Sequence, residues 1–342
     1  MNPFAWASPK TAAEATALAS AVVADAMTIA PNASGRGGVS VIKAGGVDLL
    51  DLMKEGLLAP ATVVGLKDMS GLDAITEDAS GGLRIGATAT LTTIAEHPVV
   101  SQRYPALADA LRQSASPQIR NVATLGGNLL QRPRCRYFRS ADFRCLRKGG
   151  GHCFAIDGES QYHAIFDNRI CAIVHPSTAA TVLVALGTTV ELAKDEGSAR
   201  EVLLEDFFIP PGQDLQREND LKAHEILTAI RLPPLAAATR MAHLKLAEKE
   251  SFDWPLADVA VVLEFSPDGT CAKASVILGA AAPVPYRAEK AERALVGRKI
   301  DEITAREAAR TALDGATPFA KNAYKLPLFE TLVRRTVLKA AQ

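Results

Sequence analysis

Between residues 123 and 171 a glycine turn, Ala123-Thr124-Leu125-Gly126-Gly127-Asn128, runs within a few residues into a loop holding four of the chain's five cysteines. Cys135, Cys145, Cys153 and Cys171 are separated by nine, seven and seventeen residues and crowd into 37 positions. Five cysteines in 342 residues are too sparse for a disulfide-stapled fold, so a shared ligand explains the crowding better than independent thiols do. Structural zinc takes four thiolates, but its ligands usually come as knuckles about two to four residues apart, and these spacings contain none. An iron–sulfur cluster tolerates wide spacing and gains from surrounding cations. Between residues 131 and 151 stand Arg132, Arg134, Arg136, Arg139, Arg144, Arg147 and Lys148 against the single acid Asp142, a density that asks for an anion nearby. The interleaved Tyr137, Phe138 and Phe143 also permit a stacking platform for single-stranded nucleic acid, which would leave the cysteines without a role. Spacing favours a cluster over zinc and leaves zinc as the rival.

The chain is longer than one core usually supports, which predicts two or three domains. With 48% hydrophobic and 22% charged residues, it has the interior of an ordinary globular protein, and no apolar run approaches the roughly 20 residues that span a bilayer. Thirty-eight basic residues balance 38 acidic ones, so the whole molecule has no electrostatic claim on nucleic acid or membrane. The start, Met1-Asn2-Pro3-Phe4-Ala5-Trp6, lacks the basic and apolar regions of a signal peptide. A cytoplasmic chain is expected, or a periplasmic one if a partner carrying the signal takes it across.

Helical spacing of Ala13, Ala17, Leu18, Ala21 and Val22 predicts an exposed helix over 9–30. Ser34-Gly35-Arg36-Gly37-Gly38 follows, then the β-branched run Val39-Ser40-Val41-Ile42, then Lys43-Ala44-Gly45-Gly46-Val47-Asp48-Leu49-Leu50. This reads as a strand, a tight turn and a helix start capped by Asp48. Glycine at such a turn lets a phosphate approach unpaired amides. Strands are expected at 61–66, 82–87, 188–193 and 225–232, with helices at 91–96, 105–114 and 178–186 and a turn-rich loop at 206–212. His175, before a proline, reads as structural. Pro233-Pro234 and the Ala-rich 235–239 mark a boundary. Beyond it, strands at 240–246, 257–265 and 271–279 and helices at 287–296, 302–314 and 328–341 predict a three-stranded antiparallel layer covered by helices. Cys271 lies apart from the other cysteines and reads as an inert thiol. The fold class is α+β, with domains at 1–234 (lobes about 1–60 and 61–234, insertion loop 131–171) and 235–342.

Lys43-Ala44-Gly45-Gly46-Val47-Asp48-Leu49-Leu50, Val122-Ala123-Thr124-Leu125-Gly126-Gly127-Asn128, Glu225-Ile226-Leu227 and Ser251-Phe252-Asp253, taken in order, resemble the FAD-binding subunit of molybdenum hydroxylases, the xanthine dehydrogenase family. Arg134-Cys135-Arg136-Tyr137-Phe138-Arg139 and Val174-His175-Pro176-Ser177 resemble the periplasmic aldehyde oxidoreductase type, whose flavin subunit carries a 4Fe-4S loop. The resemblance implies a two-lobed FAD-binding domain of the PCMH, or vanillyl-alcohol oxidase, type. A small domain of the carbon monoxide dehydrogenase flavoprotein C-terminal type follows it. Lys43, Ala44, Gly45, Gly46, Val47, Asp48 and Leu49 would form one side of the FAD site, with the backbone amides from Ala44 on holding the pyrophosphate. Ala115, Thr124, Gly127 and Asn128 would line the second side, and Ile226 and Lys245 the far wall. Cys135, Cys145, Cys153 and Cys171 would bind the 4Fe-4S cluster. Val47 stands where the family more often has Thr or Asn, and Thr178 where an acid commonly follows His-Pro-Ser. The implied function is an electron-transfer subunit, with a large molybdenum cofactor-binding partner, a small 2Fe-2S partner and an external electron acceptor. A stand-alone flavin oxidase and a zinc-stabilised binding module are the alternatives.

Overall fold

A computed structural model of the protein describes residues 1–28, 38–194, 198–249 and 252–342. Three sheets organise them. In the first, β1 (Ala5–Ala7) and β2 (Ser40–Lys43) both run parallel to the central β3 (Thr62–Gly65). The second has five antiparallel strands, β4 (Ile75–Glu77), β5 (Leu83–Gly86), β6 (Thr189–Ala193), β7 (Ala199–Leu203) and β8 (Ile226–Leu232), in the order β4-β5-β8-β6-β7. The third is built from β9 (Thr239–Leu246), β10 (Ala257–Phe265), β11 (Cys271–Gly279) and β12 (Tyr286–Arg287), in the order β12-β11-β10-β9. The helices Glu289–Leu295, Glu302–Thr311 and Lys325–Ala340 cover it, and the sheet and helices share one apolar core.

The helix Thr178–Ala185 shows how sequence places an element. All eight of its residues are buried. A helix apolar on every side belongs in an interior, and this one lies in a core shared with Ala260 and Val262 of β10 and Ile277 of β11. Ser177 caps it by accepting from the Ala180 amide at 3.0 Å, and Thr181 Oγ1 donates to Asp258 Oδ2 of β10 at 2.8 Å. The second and third sheets are thereby packed about one helix.

Several elements differ from expectation. The stretch 9–30 is not one exposed helix: the helices Ala12–Leu18 and Val23–Ala26 are separated by a break at Ala19, whose carbonyl accepts from the His224 amide at 2.7 Å. Residues 29 and 30, like Ser34 to Gly37 of the first glycine-rich run, lie outside the described residues. Tertiary contact with the segment before β8 overrides helical spacing there. The third sheet has four strands rather than three, because Ile277 and Leu278 pair with Arg287 and Tyr286. Two residues beside Pro283 and Pro285 carry no period to read. A lobe division at 60 falls before β3, although β3 is the middle strand of the first sheet. The turn-rich loop at 206–212 begins inside a helical turn, Leu204–Phe207.

Candidate functional site

The two glycine turns meet. Gly46 caps the helix Val47–Lys54 in a left-handed conformation (φ 82°) that favours glycine, and its missing side chain supplies no capping oxygen. The first amides of that helix have no carbonyl one turn back, so they are free to bind an anion. Asp48 does not cap the helix as expected. Its carboxylate instead accepts from the Arg132 amide at 2.8 Å and Arg139 Nη2 at 2.6 Å and forms an ion pair with Arg134 Nη2 at 2.9 Å, which ties the cysteine loop to the first turn. On the other side, Thr124 caps the short helix Leu125–Leu129 by accepting from the Gly127 amide at 3.2 Å, and Asn128 Oδ1 accepts from Ser177 Oγ at 2.5 Å.

A cleft of about 400 Å³ runs between these turns. Lys43, Ala44, Gly45, Gly46, Val47, Asp48 and Leu49 of the first turn line it together with Ala115, Thr124, Gly127 and Asn128, and so do Ile226 and Lys245. Ala115 holds a left-handed conformation (φ 47°), its carbonyl and that of Ser114 accepting from Arg120 Nη1 at 2.6 and 3.0 Å. Lys245 Nζ donates to the carbonyls of Gln113 and Asp253 at 2.9 and 2.7 Å, and burial lowers its pKa. Burial and the charge of Lys67 do the same to Lys43. The rim carries Trp254, stacked on the Arg134 guanidinium at 4.8 Å. The cleft has the length of lining, the glycine approach and the free amides that a dinucleotide needs.

Beside it the cysteine loop folds inward rather than lying open. Phe138 and Cys145 are buried in the core under the first sheet. Tyr137 meets the edge of Phe143 at 5.0 Å and stacks on Phe154 at 5.8 Å, so these rings pack on one another rather than forming an open row. Cys135, Cys145, Cys153 and Cys171 line one small cavity with Arg147 and His163. His163 Nε2 lies 3.2 Å from Cys135 Sγ, and burial, followed by the nearby Lys325 charge, lowers the His163 pKa to about 4. Burial pushes the Cys135 thiol up to about 11. A hydrogen bond between Cys153 and Cys171 holds Cys153 down at about 6 and pushes Cys171 up. Among the described residues, no three His, Cys, Asp or Glu side chains stand close enough to share one metal ion. All four cysteines line that one cavity.

The loop's cations find carboxylates that sequence reasoning missed. Arg139 and Arg134 pair with Asp48 and Asp51. Arg132 and Arg147 converge, at 3.2 and 2.5 Å, on Glu218, which lies 71 residues or more downstream of both. No local signal marks that residue. His175 is structural as expected: buried, 4.4 Å from the Phe208 ring, with Nδ1 accepting from the Ser177 amide at 3.4 Å. Cys271, also buried, donates to the Lys273 carbonyl at 3.3 Å, away from the other thiols.

Comparison with known proteins agrees with this geometry. A family model described as the FAD binding domain in molybdopterin dehydrogenase matches residues 2–235, and one described as the CO dehydrogenase flavoprotein C-terminal domain matches 242–340. The aldehyde oxidoreductase FAD-binding subunit PaoB of Escherichia coli is 35% identical over 299 residues, 87% of this chain and 90% of that one. The carbon monoxide dehydrogenase medium chain of Hydrogenophaga pseudoflava is 26% identical, covering 98% and 96% of the two chains. The solved quinoline 2-oxidoreductase of Pseudomonas putida 86 superposes with a TM-score of 0.73 at 26% identity, over 99% of this chain and 97% of that one. The chain belongs to the FAD-binding subunits of the molybdenum hydroxylase family.

Proposed function

We propose that this chain is the electron-transfer flavoprotein subunit of a molybdenum-containing complex of the aldehyde oxidoreductase or xanthine dehydrogenase type. The observation that carries the reading is the cleft itself, in which two glycine turns distant in sequence face one another. FAD bound there would supply reversible hydride and single-electron transfer, chemistry that belongs to the cofactor. The protein binds and orients. Amides from Ala44 to Leu49 would hold the pyrophosphate, Ala115, Thr124, Gly127 and Asn128 would line the second side of the FAD, and Ile226 and Lys245 would approach it from the far wall.

We also propose that Cys135, Cys145, Cys153 and Cys171 hold a 4Fe-4S cluster. A cluster spaces its thiolates around its own iron and sulfide core, which suits sulfurs arranged about a cavity better than a single zinc ion would. Substrate oxidation would occur in a large molybdenum cofactor-binding partner, with a small 2Fe-2S partner between the two and an external acceptor beyond. No helix among the described residues is long and apolar enough to cross a membrane.

Anaerobic purification of the intact complex, with FAD, iron and molybdenum counted per chain, tests both readings. The expected result is a coloured protein with all three. A colourless chain after reconstitution with flavin, iron and sulfide would sink them. Cys135→Ser separates the sites: iron is lost while much of the FAD remains, and equal loss of both refutes two independent sites.

A further inference from the structure

Arg147 sits in the turn Leu146–Lys148, directly after Cys145, and is only 2% exposed. Its Nη1 donates to Glu218 Oε1 at 2.5 Å and lies 3.4 Å from the Arg217 carbonyl. Nε and Nη2 are buried without an oxygen or nitrogen acceptor, on a side chain that lines the cavity of the four thiols. The Cys171 thiol, a weak acceptor, hydrogen-bonds the guanidinium, and Cys145 also acts on its charge. A buried guanidinium with five donors has capacity left for a stronger acceptor in that cavity.

The charge count points the same way. Arg132 contacts Glu218 Oε2 at 3.2 Å and is 3% exposed, so two buried cations share one carboxylate. Glu218 offsets one of them and leaves a positive charge in a low-dielectric interior. Arg132 and Glu218 line the cleft, whereas Arg147 lines the thiol cavity. Glu218 is itself held: its carbonyl accepts from the Ile209 amide at 3.0 Å, and the neighbouring Arg217 Nε donates to Asp25 Oδ1 at 3.0 Å.

We propose that Arg147, fixed by Glu218, donates hydrogen bonds to the anionic iron–sulfur group held by Cys135, Cys145, Cys153 and Cys171 and raises its reduction potential. This rests on the cluster reading given above. One-electron reduction adds negative charge to a group that is already anionic. A fixed cation with N–H groups aimed at its sulfurs stabilises the reduced form more than the oxidised form. Arg147 acts on the cluster directly, Glu218 is the residue that positions it, and neither takes part in substrate chemistry.

The test is a redox titration of the intact complex with dithionite, followed by electron paramagnetic resonance, in unmodified protein, Arg147→Met and Arg147→Lys. The Met variant is expected to keep its FAD and iron while its midpoint potential falls by at least a tenfold change in the reduction equilibrium, about 59 mV for one electron. The Lys variant, which keeps the charge and loses the fork, should recover part of that fall. An iron-loaded Met variant with an unchanged potential overturns the proposal and leaves the cluster reading intact. An unmodified complex without iron overturns both. Should the Met variant fail to load iron, unmodified protein labelled with 15N-arginine decides. Coupling of a guanidinium nitrogen to the reduced cluster supports the proposal, and its absence overturns it.

Discussion

A Cβ added to Gly45 would land on the carbonyl oxygen of Val122, so the first glycine turn touches the backbone that leads into the second. Backbone cannot swing aside as a side chain can. Gly45→Ala must therefore push the two banks of the cleft apart, and overpacking of this kind costs about 1–3 kcal/mol. The expected outcome is loss of most bound FAD with a lowered melting temperature. Gly46→Ala meets only the flexible Lys43 stem, although its left-handed φ adds about 1–2 kcal/mol of backbone strain. Flavin content of the two purified variants checks the difference, and full occupancy in Gly45→Ala would contradict the contact.

Asp48 joins the cradle to the cysteine loop. The Arg132 amide and Arg139 donate to its carboxylate, and Arg134 pairs with it. Asp48→Ala leaves the Arg132 amide without its acceptor and takes one of two carboxylate partners from each guanidinium, Asp51 remaining, so the loss should be about 2–3 kcal/mol rather than the larger cost of a sealed pair. Chemical denaturation of the variant should show that fall together with weaker retention of both FAD and iron. Loss of neither cofactor would mean that Asp48 does not couple the two regions.

How far the sequence discloses this arrangement depends on the range of the interaction. The Thr178–Ala185 helix, the β10–β11 hairpin around Pro267-Asp268-Gly269 and the two glycine turns are local patterns of period, turn chemistry and backbone freedom, and all are legible. The cysteine loop is legible from composition, which shows crowded thiols among cations. What holds it is not. Asp48 and Glu218 lie 84 or more and 71 or more residues from the arginines they receive, and one acidic residue in a polar turn looks like any other. The break at Ala19 fails to show for the same reason, since its cause is His224. Local rules reveal elements and candidate ligands, whereas long-range ion pairs decide which sites touch.

Glu218 is the sharper case of such a pair. With 6% exposure it serves two arginines that are buried more deeply still. Glu218→Ala should cost about 3–5 kcal/mol, because it strands two buried charges. Glu218→Gln keeps an acceptor oxygen and should lose less. Urea unfolding of the two variants checks the order, and equal stability of Glu218→Ala and the unmodified chain would show that the triad contributes nothing.

Burial alone carries His175 down to about pH 3 from an ordinary value of 6.5, so the folded chain keeps this imidazole neutral. The unfolded chain takes up the proton as pH falls through 6.5, and the folded chain does not until about 3. Between those values the unfolded state binds more protons, so stability falls as pH falls, at up to about 1.4 kcal/mol per pH unit from this residue. Above 6.5 the two states bind the same number and the contribution is flat. His175→Phe places an apolar ring against Phe208 and removes the titration, so its urea midpoint should change less between pH 7 and pH 5 than that of the unmodified protein. Carboxylates common to both chains cancel in the comparison. Parallel pH profiles would show that His175 opens to solvent before it titrates, and that the cap it makes with Ser177 ahead of the Thr178–Ala185 helix is looser than its burial indicates.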